Sequence, residues 1–251
     1  YSVVCHAWNE SLTAPEPLWI ETSENLLGGP FFVTRWANGL NPGDVFGAQK
    51  AVASSVGEDL AIFLARLHRA DCESLERYPA VSMATLDQIL QEIENVWHRL
   101  NQATGEPAAM VHDLFGWLRT NAPAPPEKPV LLHGDIGFHN LLVEDGKVSV
   151  VLDWERAHPG DPAEDLAYLK PTLHGVMPWD DFLDHYESAG GIRPDPQSLE
   201  FYTVWQDVWR YVACQALFGA FEKTPRLSSL FAGRIFGPRF LANAVNNSLR
   251  K

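Results

Sequence analysis

The sequence predicts an α+β fold in which a mainly helical body accompanies a small cluster of short strands near the middle of the chain. Three observations carry this. Apolar residues recur at three- and four-residue steps through long stretches before residue 121 and after residue 162. Between them lie three short apolar runs, Val130-Leu131-Leu132, Leu141-Leu142-Val143 and Val148 to Leu152, too short for helices. The last two runs are joined by Glu144-Asp145-Gly146-Lys147, whose Asp-Gly pair suits a tight hairpin turn.

Residues 1–30 read as loop-rich, with Pro15, Pro17 and a Gly28-Gly29-Pro30 turn. Leu18-Trp19-Ile20 and Phe31-Phe32-Val33 flank that turn as two short strands. Val45, Val52, Val56, Leu60, Phe63, Leu64 and Leu67 predict a helix over 44–70, capped by Asp44. Thr85 and Gln88 form a capping box before a second helix, in which Leu86, Ile89, Leu90, Ile93 and Leu100 share a face. A third helix covers about 107–120, and four prolines between Ala122 and Pro129 end the helical run. Beyond Pro162, helices are expected over about 163–170, 179–189, 196–221 and 227–249. Trp205, Trp209 and Val212 lie at helical spacing and are read as core.

Composition narrows the function. Hydrophobic residues make up 46% and charged residues 20%, as in a globular protein with a sizeable core. A net charge of -13 repels phosphate backbones and argues against nucleic-acid binding; it would suit a cationic ligand, although solubility accounts for it more simply. Cys5, Cys72 and Cys214 are odd in number and form no CxxC, so neither a disulfide framework nor a zinc site is expected, and a cytoplasmic setting is. No apolar run reaches the length of a membrane span and no signal-peptide pattern opens the chain. The sequence starts at Tyr1, not Met, and reads as trimmed.

The chemistry lies in the middle. His133-Gly134-Asp135-Ile136-Gly137-Phe138-His139-Asn140 sits between two apolar strands, with an Asp and, five positions on, an Asn. Thirteen residues later Asp153 ends the next strand, in Leu152-Asp153-Trp154-Glu155. Phosphoryl transfer needs an acceptor hydroxyl oriented, its proton received and the phosphate charge neutralised. One Asp can take the proton, while an Asn oxygen and a second Asp are hard donors suited to Mg²⁺. Glu155 could also reach a metal or substrate. His139 reads as structural, Asp161 before Pro162 as a turn former, and Phe138 as either packing or pocket wall.

These segments resemble a known family. HGDIGFHN is similar to the HGDxxxxN catalytic loop of aminoglycoside phosphotransferases and related choline kinase-like small-molecule kinases. VLDWE resembles their metal-binding segment, GDPAEDLA (160–167) their GDPxxDLA stretch, and Leu64-Ala65-Arg66-Leu67-His68 their LAxLH helix end, all in order and register. The resemblance runs from about Phe31 to the C-terminus and weakens after about 171. It implies a protein-kinase-like fold, with 1–37 a remnant of an N-terminal β lobe and inter-lobe linker, 38–251 a helical catalytic lobe, and 81–121 a helical insert that helps shape the acceptor pocket. It implies Asp135 as catalytic base, Asn140 and Asp153 as Mg²⁺ ligands, His133 and Asp165 as supports of the loop, and Arg35, Trp36 and Ala37 as nucleotide-binding linker residues. The cofactors implied are ATP and Mg²⁺, and the partner a small-molecule hydroxyl acceptor.

Within the family, Val151 to Glu155, Gly160-Asp161-Pro162 and the aromatic C-terminal helices look closest to phosphotransferases related to the kinase-like domain of certain acyl-CoA dehydrogenases, which implies a hydroxylated acyl or other small organic acceptor. The family's phosphate-covering loop and strand lysine have no counterpart: Lys50 is the first lysine and follows the linker, and Gly28-Gly29 precedes a proline in a turn. A catalytically inactive kinase-like scaffold is therefore the first rival reading. The second is a metal-dependent hydrolase built on His133, Asp135, His139 and Asp153, which lacks a further His-x-His or Asp-x-His pair to complete its ligands.

Overall fold

The computed structural model describes residues 1–43, 52–70, 72, 84–104, 108–220 and 226–250. In chain order the elements are α1 (Ser2–Asn9), β1 (Pro17–Glu21), β2 (Phe31–Thr34), α2 (Ser54–Leu67), α3 (Leu86–Thr104), α4 (Ala108–Asn121), β3 (Val130–Leu132), β4 (Leu141–Glu144), β5 (Lys147–Val151), β6 (His158–Gly160), α5 (Pro162–Leu169), α6 (Trp179–Ser188), α7 (Pro196–Gly219), α8 (Leu227–Phe231) and α9 (Gly237–Ser248). They group into two compact units: residues 1–83 with 126–194, and residues 84–125 with 195–251.

Among its described residues the first unit holds three antiparallel strand pairs, β1–β2, β3–β6 and β4–β5. The β4–β5 turn follows its sequence signal. Asp145 and Gly146 both take positive φ, at 51° and 76°, as a two-residue turn of this kind requires. Register shifts between Leu142 and Val143, leaving Ser149 extra on β5. The Ser149 hydroxyl donates to the Asn38 and Leu142 carbonyls at 2.8 and 3.0 Å. Nearby, Leu40 bridges to Val143. The α2 helix buries Leu60, Phe63, Leu64 and Leu67, and Leu131, Leu132, Leu141, Val151, Leu166 and Phe182 are buried in the same unit. Each such side chain contributes roughly 1.5–3 kcal/mol by leaving water.

Among its described residues the second unit has helices and no strands. Thr85 and Gln88 exchange side-chain-to-backbone hydrogen bonds at 2.8 and 3.3 Å, the capping box read from the sequence. Leu90, Trp97, Val111, Phe115, Leu118, Phe201, Trp205 and Val212 are buried there, while Trp209 is half-exposed. Asp195 caps α7, accepting from the Gln197 and Ser198 N–H groups.

Some sequence expectations need correction. Residues 1–30 are not all loop: Ser2–Asn9 forms α1, burying Val4, His6 and Ala7. At eight residues with no side-chain cap, it offers too short a window for periodicity. The α2 helix begins at Ser54, and Val52 and Ala53 do not belong to it; the expected cap Asp44 and the first lysine, Lys50, lie outside the described residues. Residues 227–249 do not form one even helix, since a π-type turn over Ala232–Phe236 separates α8 from α9. The pairing of β6 with β3 has no counterpart among the sequence expectations.

That β3–β6 pair carries a titratable lock. His158 is opposite Leu132 in the register, and its Nε2 lies 3.4 Å from Glu164 Oε2 on α5. Burial alone would lower the His158 pKa, but the Glu164 charge and hydrogen bond outweigh it and raise it to about 9. The folded state therefore binds this proton more tightly than the unfolded chain does. The resulting stabilisation, on the order of 3 kcal/mol at most, should be complete below about pH 6.5 and drain away as pH rises through about 9. Urea unfolding of the wild type and His158→Gln should show a stability gap that narrows across that window; a gap constant with pH would refute the lock.

Candidate functional site

The loop from His133 to Asn140 is held by its backbone. The Asp165 carboxylate, fully buried on α5, accepts the His133 N–H and the Gly134 N–H, both at 2.8 Å. His68, the residue after α2, places Nε2 3.3 Å from Asp165 Oδ2, and its Nδ1 meets the Tyr186 hydroxyl at 2.7 Å. Burial alone would raise the Asp165 carboxyl, but the hydrogen bond and charge of His68, together with His133, hold it below the ordinary carboxylate range. Gly134 has φ +77°, and a Cβ there would lie 2.4 Å from the Arg156 carbonyl oxygen, so no other residue fits this turn. His133 is itself fully buried. Its Nε2 lies 2.9 Å from the Leu152 carbonyl, its ring packs on Trp154 at 4.9 Å, and burial lowers its pKa, favouring the neutral ring.

Asp135 faces several donors. Tyr168 donates its hydroxyl to Oδ1, His139 Nε2 lies 3.4 Å from the same oxygen, and Asn140 Nδ2 donates to Oδ2 at 3.1 Å. Burial would raise this carboxyl, but the His139 and Tyr168 hydrogen bonds outweigh it and lower its pKa. Asn140 Nδ2 also reaches the Asp135 carbonyl at 2.9 Å, which orients the whole amide.

Asp153 reaches this neighbourhood through strand pairing. Leu141 is opposite Val151, and the Leu152 N–H donates to the Asn140 carbonyl at 2.8 Å. Asn140 and Asp153 therefore stand at the same end of the β4–β5 hairpin. Asp153 has φ +61° and ψ +61°, a left-handed conformation that costs roughly 1–2 kcal/mol in a residue with a Cβ. The turn over Trp154–Arg156 on one side and the Leu152 bond on the other hold it there. Asp153 and Glu155 line a cavity of about 400 Å³ with Phe32, Thr34 and the first residues of α1.

The sequence-derived residues do not all converge. His133, Asp135, Asn140 and Asp165 form one hydrogen-bonded cluster. Arg35 pairs with Glu16, its Nη2 lying 3.3 Å from Oε1, and Trp36 is 89% exposed. Neither Arg35, Trp36 nor Ala37 lines the cavity beside Asp153, whereas Phe32 and Thr34 of β2 do. Sequence reasoning missed Tyr168 and the α1 residues. The only signal for Tyr168 was its place three residues after Asp165, one helical turn on.

The donor set suits a hard cation. Asn140 offers an amide oxygen and Asp153 a carboxylate, types that Mg²⁺ accepts while keeping water and phosphate oxygens for its remaining positions. No cluster of three or more His, Cys, Asp or Glu side chains able to hold a metal occurs among the described residues. No described helix is long and apolar enough to cross a membrane.

Removing the Asp165 carboxylate would leave two buried backbone N–H groups without a partner. Asp165→Ala should therefore cost about 3–5 kcal/mol, measurable as a lowered urea midpoint with an unchanged slope. A loss under about 1 kcal/mol would show that the loop does not depend on this carboxylate.

Known proteins resemble this chain in sequence and in fold. Acyl-CoA dehydrogenase family member 11 from Gallus gallus is 28% identical over 176 residues, 67% of this chain and 22% of that protein. Aminoglycoside 3'-phosphotransferase from Enterococcus faecalis is 28% identical over 97 residues, 39% of this chain and 36% of that protein. The matches thus span about a fifth and about a third of those relatives' own lengths. A thermostable aminoglycoside phosphotransferase APH(4)-Ia variant, solved as a ternary complex with ADP and hygromycin B, superposes with a TM-score of 0.66 at 18% identity, covering all of this chain and 82% of that one. The fold is accordingly protein-kinase-like. The profile of the phosphotransferase enzyme family, APH, matches residues 4–202, and the chain belongs to that family.

Proposed function

We propose that this chain transfers the γ-phosphate of Mg-ATP to a hydroxyl of a small organic molecule, with Asp135 as the base and Asn140 and Asp153 as the Mg²⁺ ligands. The observation that carries the reading is the contact between Asp135 and Asn140, at 3.1 Å, on a hairpin end shared with Asp153. In the reaction the acceptor oxygen bonds to phosphorus as the bond from phosphorus to the ADP oxygen breaks, and the acceptor proton passes to Asp135. The bound metal would supply neutralisation of phosphate charge. The protein orients the base, holds the ligands in register and keeps the loop rigid through Asp165, which with His133 is its support. The lowered Asp135 pKa keeps the carboxylate ionised and ready to accept a proton at neutral pH.

The nucleotide is assigned to the side of the hairpin where Asp153 meets the β2 strand, with the Arg35–Ala37 backbone as the linker that meets the adenine. Relatives of this fold bind such molecules, one of them ADP together with hygromycin B. We read residues 1–37 as the remnant of a β lobe with its linker, 38–251 as the catalytic lobe, and 81–121 as its insert. The acceptor is read as a small hydroxylated molecule. An ADP-release screen across hydroxy acids, hydroxyacyl thioesters, amino alcohols, sugars and aminoglycosides would identify it.

Asp135→Asn should lower transfer by about a thousandfold while leaving Mg-ADP affinity within about twofold by calorimetry; full turnover in that variant would end the base assignment. Asp153→Ala should weaken Mg²⁺-dependent ADP binding by about tenfold or more. Unchanged affinity would show that Asp153 does not hold the metal.

A further inference from the structure

Tyr168 is a neighbour of Asp135 to which the proposed function gives no role. It is buried near the end of α5, and its hydroxyl donates to Asp135 Oδ1. His139 Nε2 approaches that same oxygen at 3.4 Å, whereas Oδ2 receives the Asn140 amide at 3.1 Å. A carboxylate oxygen has about two lone-pair sites. Tyr168 occupies one site of Oδ1, His139 approaches the same oxygen, and the Asn140 amide leaves one site on Oδ2.

The second observation is where Tyr168 sits. Asp165 and Tyr168 are three residues apart on α5 and so share a helix face. From that face Asp165 holds the loop's main chain, at the His133 and Gly134 N–H groups, and Tyr168 holds the side chain of Asp135. The loop backbone and its reactive carboxylate are thus referenced to one rigid helix, a condition for keeping a reacting atom within a fraction of an ångström. Phenylalanine would fill the same volume, so only the hydroxyl separates positioning from packing.

We propose that Tyr168 is a positioning residue for phosphoryl transfer, clamping Asp135 Oδ1 so that Oδ2 is the oxygen presented to the acceptor hydroxyl. The inference rests on Asp135 being the base. It adds a specific oxygen as proton acceptor and a residue that selects it.

The test is Tyr168→Phe, assayed by ADP release from Mg-ATP with water as the acceptor and with any acceptor the screen identifies. The turnover number should fall about 10- to 100-fold, while KM for ATP and calorimetric Mg-ADP affinity stay within about twofold of wild type. In an Asp135→Asn background the same change should lower the residual rate no further, because the group it positions is gone. Unchanged turnover in Tyr168→Phe, an equal loss in the Asp135→Asn background, or a parallel fall in nucleotide affinity would each overturn the positioning role. Full turnover in Asp135→Asn removes the base assignment, whereas full turnover in Tyr168→Phe beside a strongly impaired Asp135→Asn removes only the clamp. A wild-type chain that releases no ADP under any of these conditions overturns both.

Discussion

The site depends on one buried carboxylate accepting two backbone N–H groups. Asp165 is fully buried, and stripping an ionised carboxyl of water is costly. The cost is offset because charge-assisted bonds from the His133 and Gly134 N–H groups and the approach of His68 surround it with donors. Those two N–H groups point inward only because Gly134 takes a left-handed turn pressed against the Arg156 carbonyl. The carboxylate and the glycine need each other. Without the turn the donors would face elsewhere, and without Asp165 the turn would leave them buried and unpaired.

Everything beyond the loop is transmitted by strand pairing. Asn140 and Asp153 are thirteen residues apart in sequence, yet they sit at one end of a hairpin because Asp145-Gly146 turns the chain and Leu141 pairs with Val151. A one-residue slip in that register would send alternate side chains to the opposite face. The extra residue Ser149 is absorbed as a bulge, with its hydroxyl on the Asn38 and Leu142 carbonyls, so the disturbance ends before the functional end of the hairpin. The left-handed Asp153 then aims its carboxylate from a backbone conformation that a regular strand would not supply.

Much of this was legible beforehand because the signals were local. The capping box at Thr85 and Gln88, the Asp-Gly turn, the prolines after Ala122 and the apolar runs at 130, 141 and 148 act within a few residues of themselves. Elements stabilised by distant partners were not legible. The α1 helix has eight residues and no side-chain cap, and β6 is a three-residue strand containing a proline whose partner, β3, lies 28 positions earlier. The π-type turn between α8 and α9 leaves the hydrophobic spacing nearly helical and so has no clear pattern of its own.

The sequence by itself determined the residue types and their order: a loop with Asp135 and Asn140, a strand-end Asp153, and an Asp165 near the start of a helix. Those follow from short-range patterns of polarity and turn chemistry. Only the tertiary structure decided that Tyr168 donates to Asp135 Oδ1, that Arg35 turns to Glu16, and that Phe32 and Thr34 line the cavity beside Asp153. Such contacts depend on where separate elements pack against one another. No periodicity or motif encodes that placement, because it is set by the packing of residues remote in the chain.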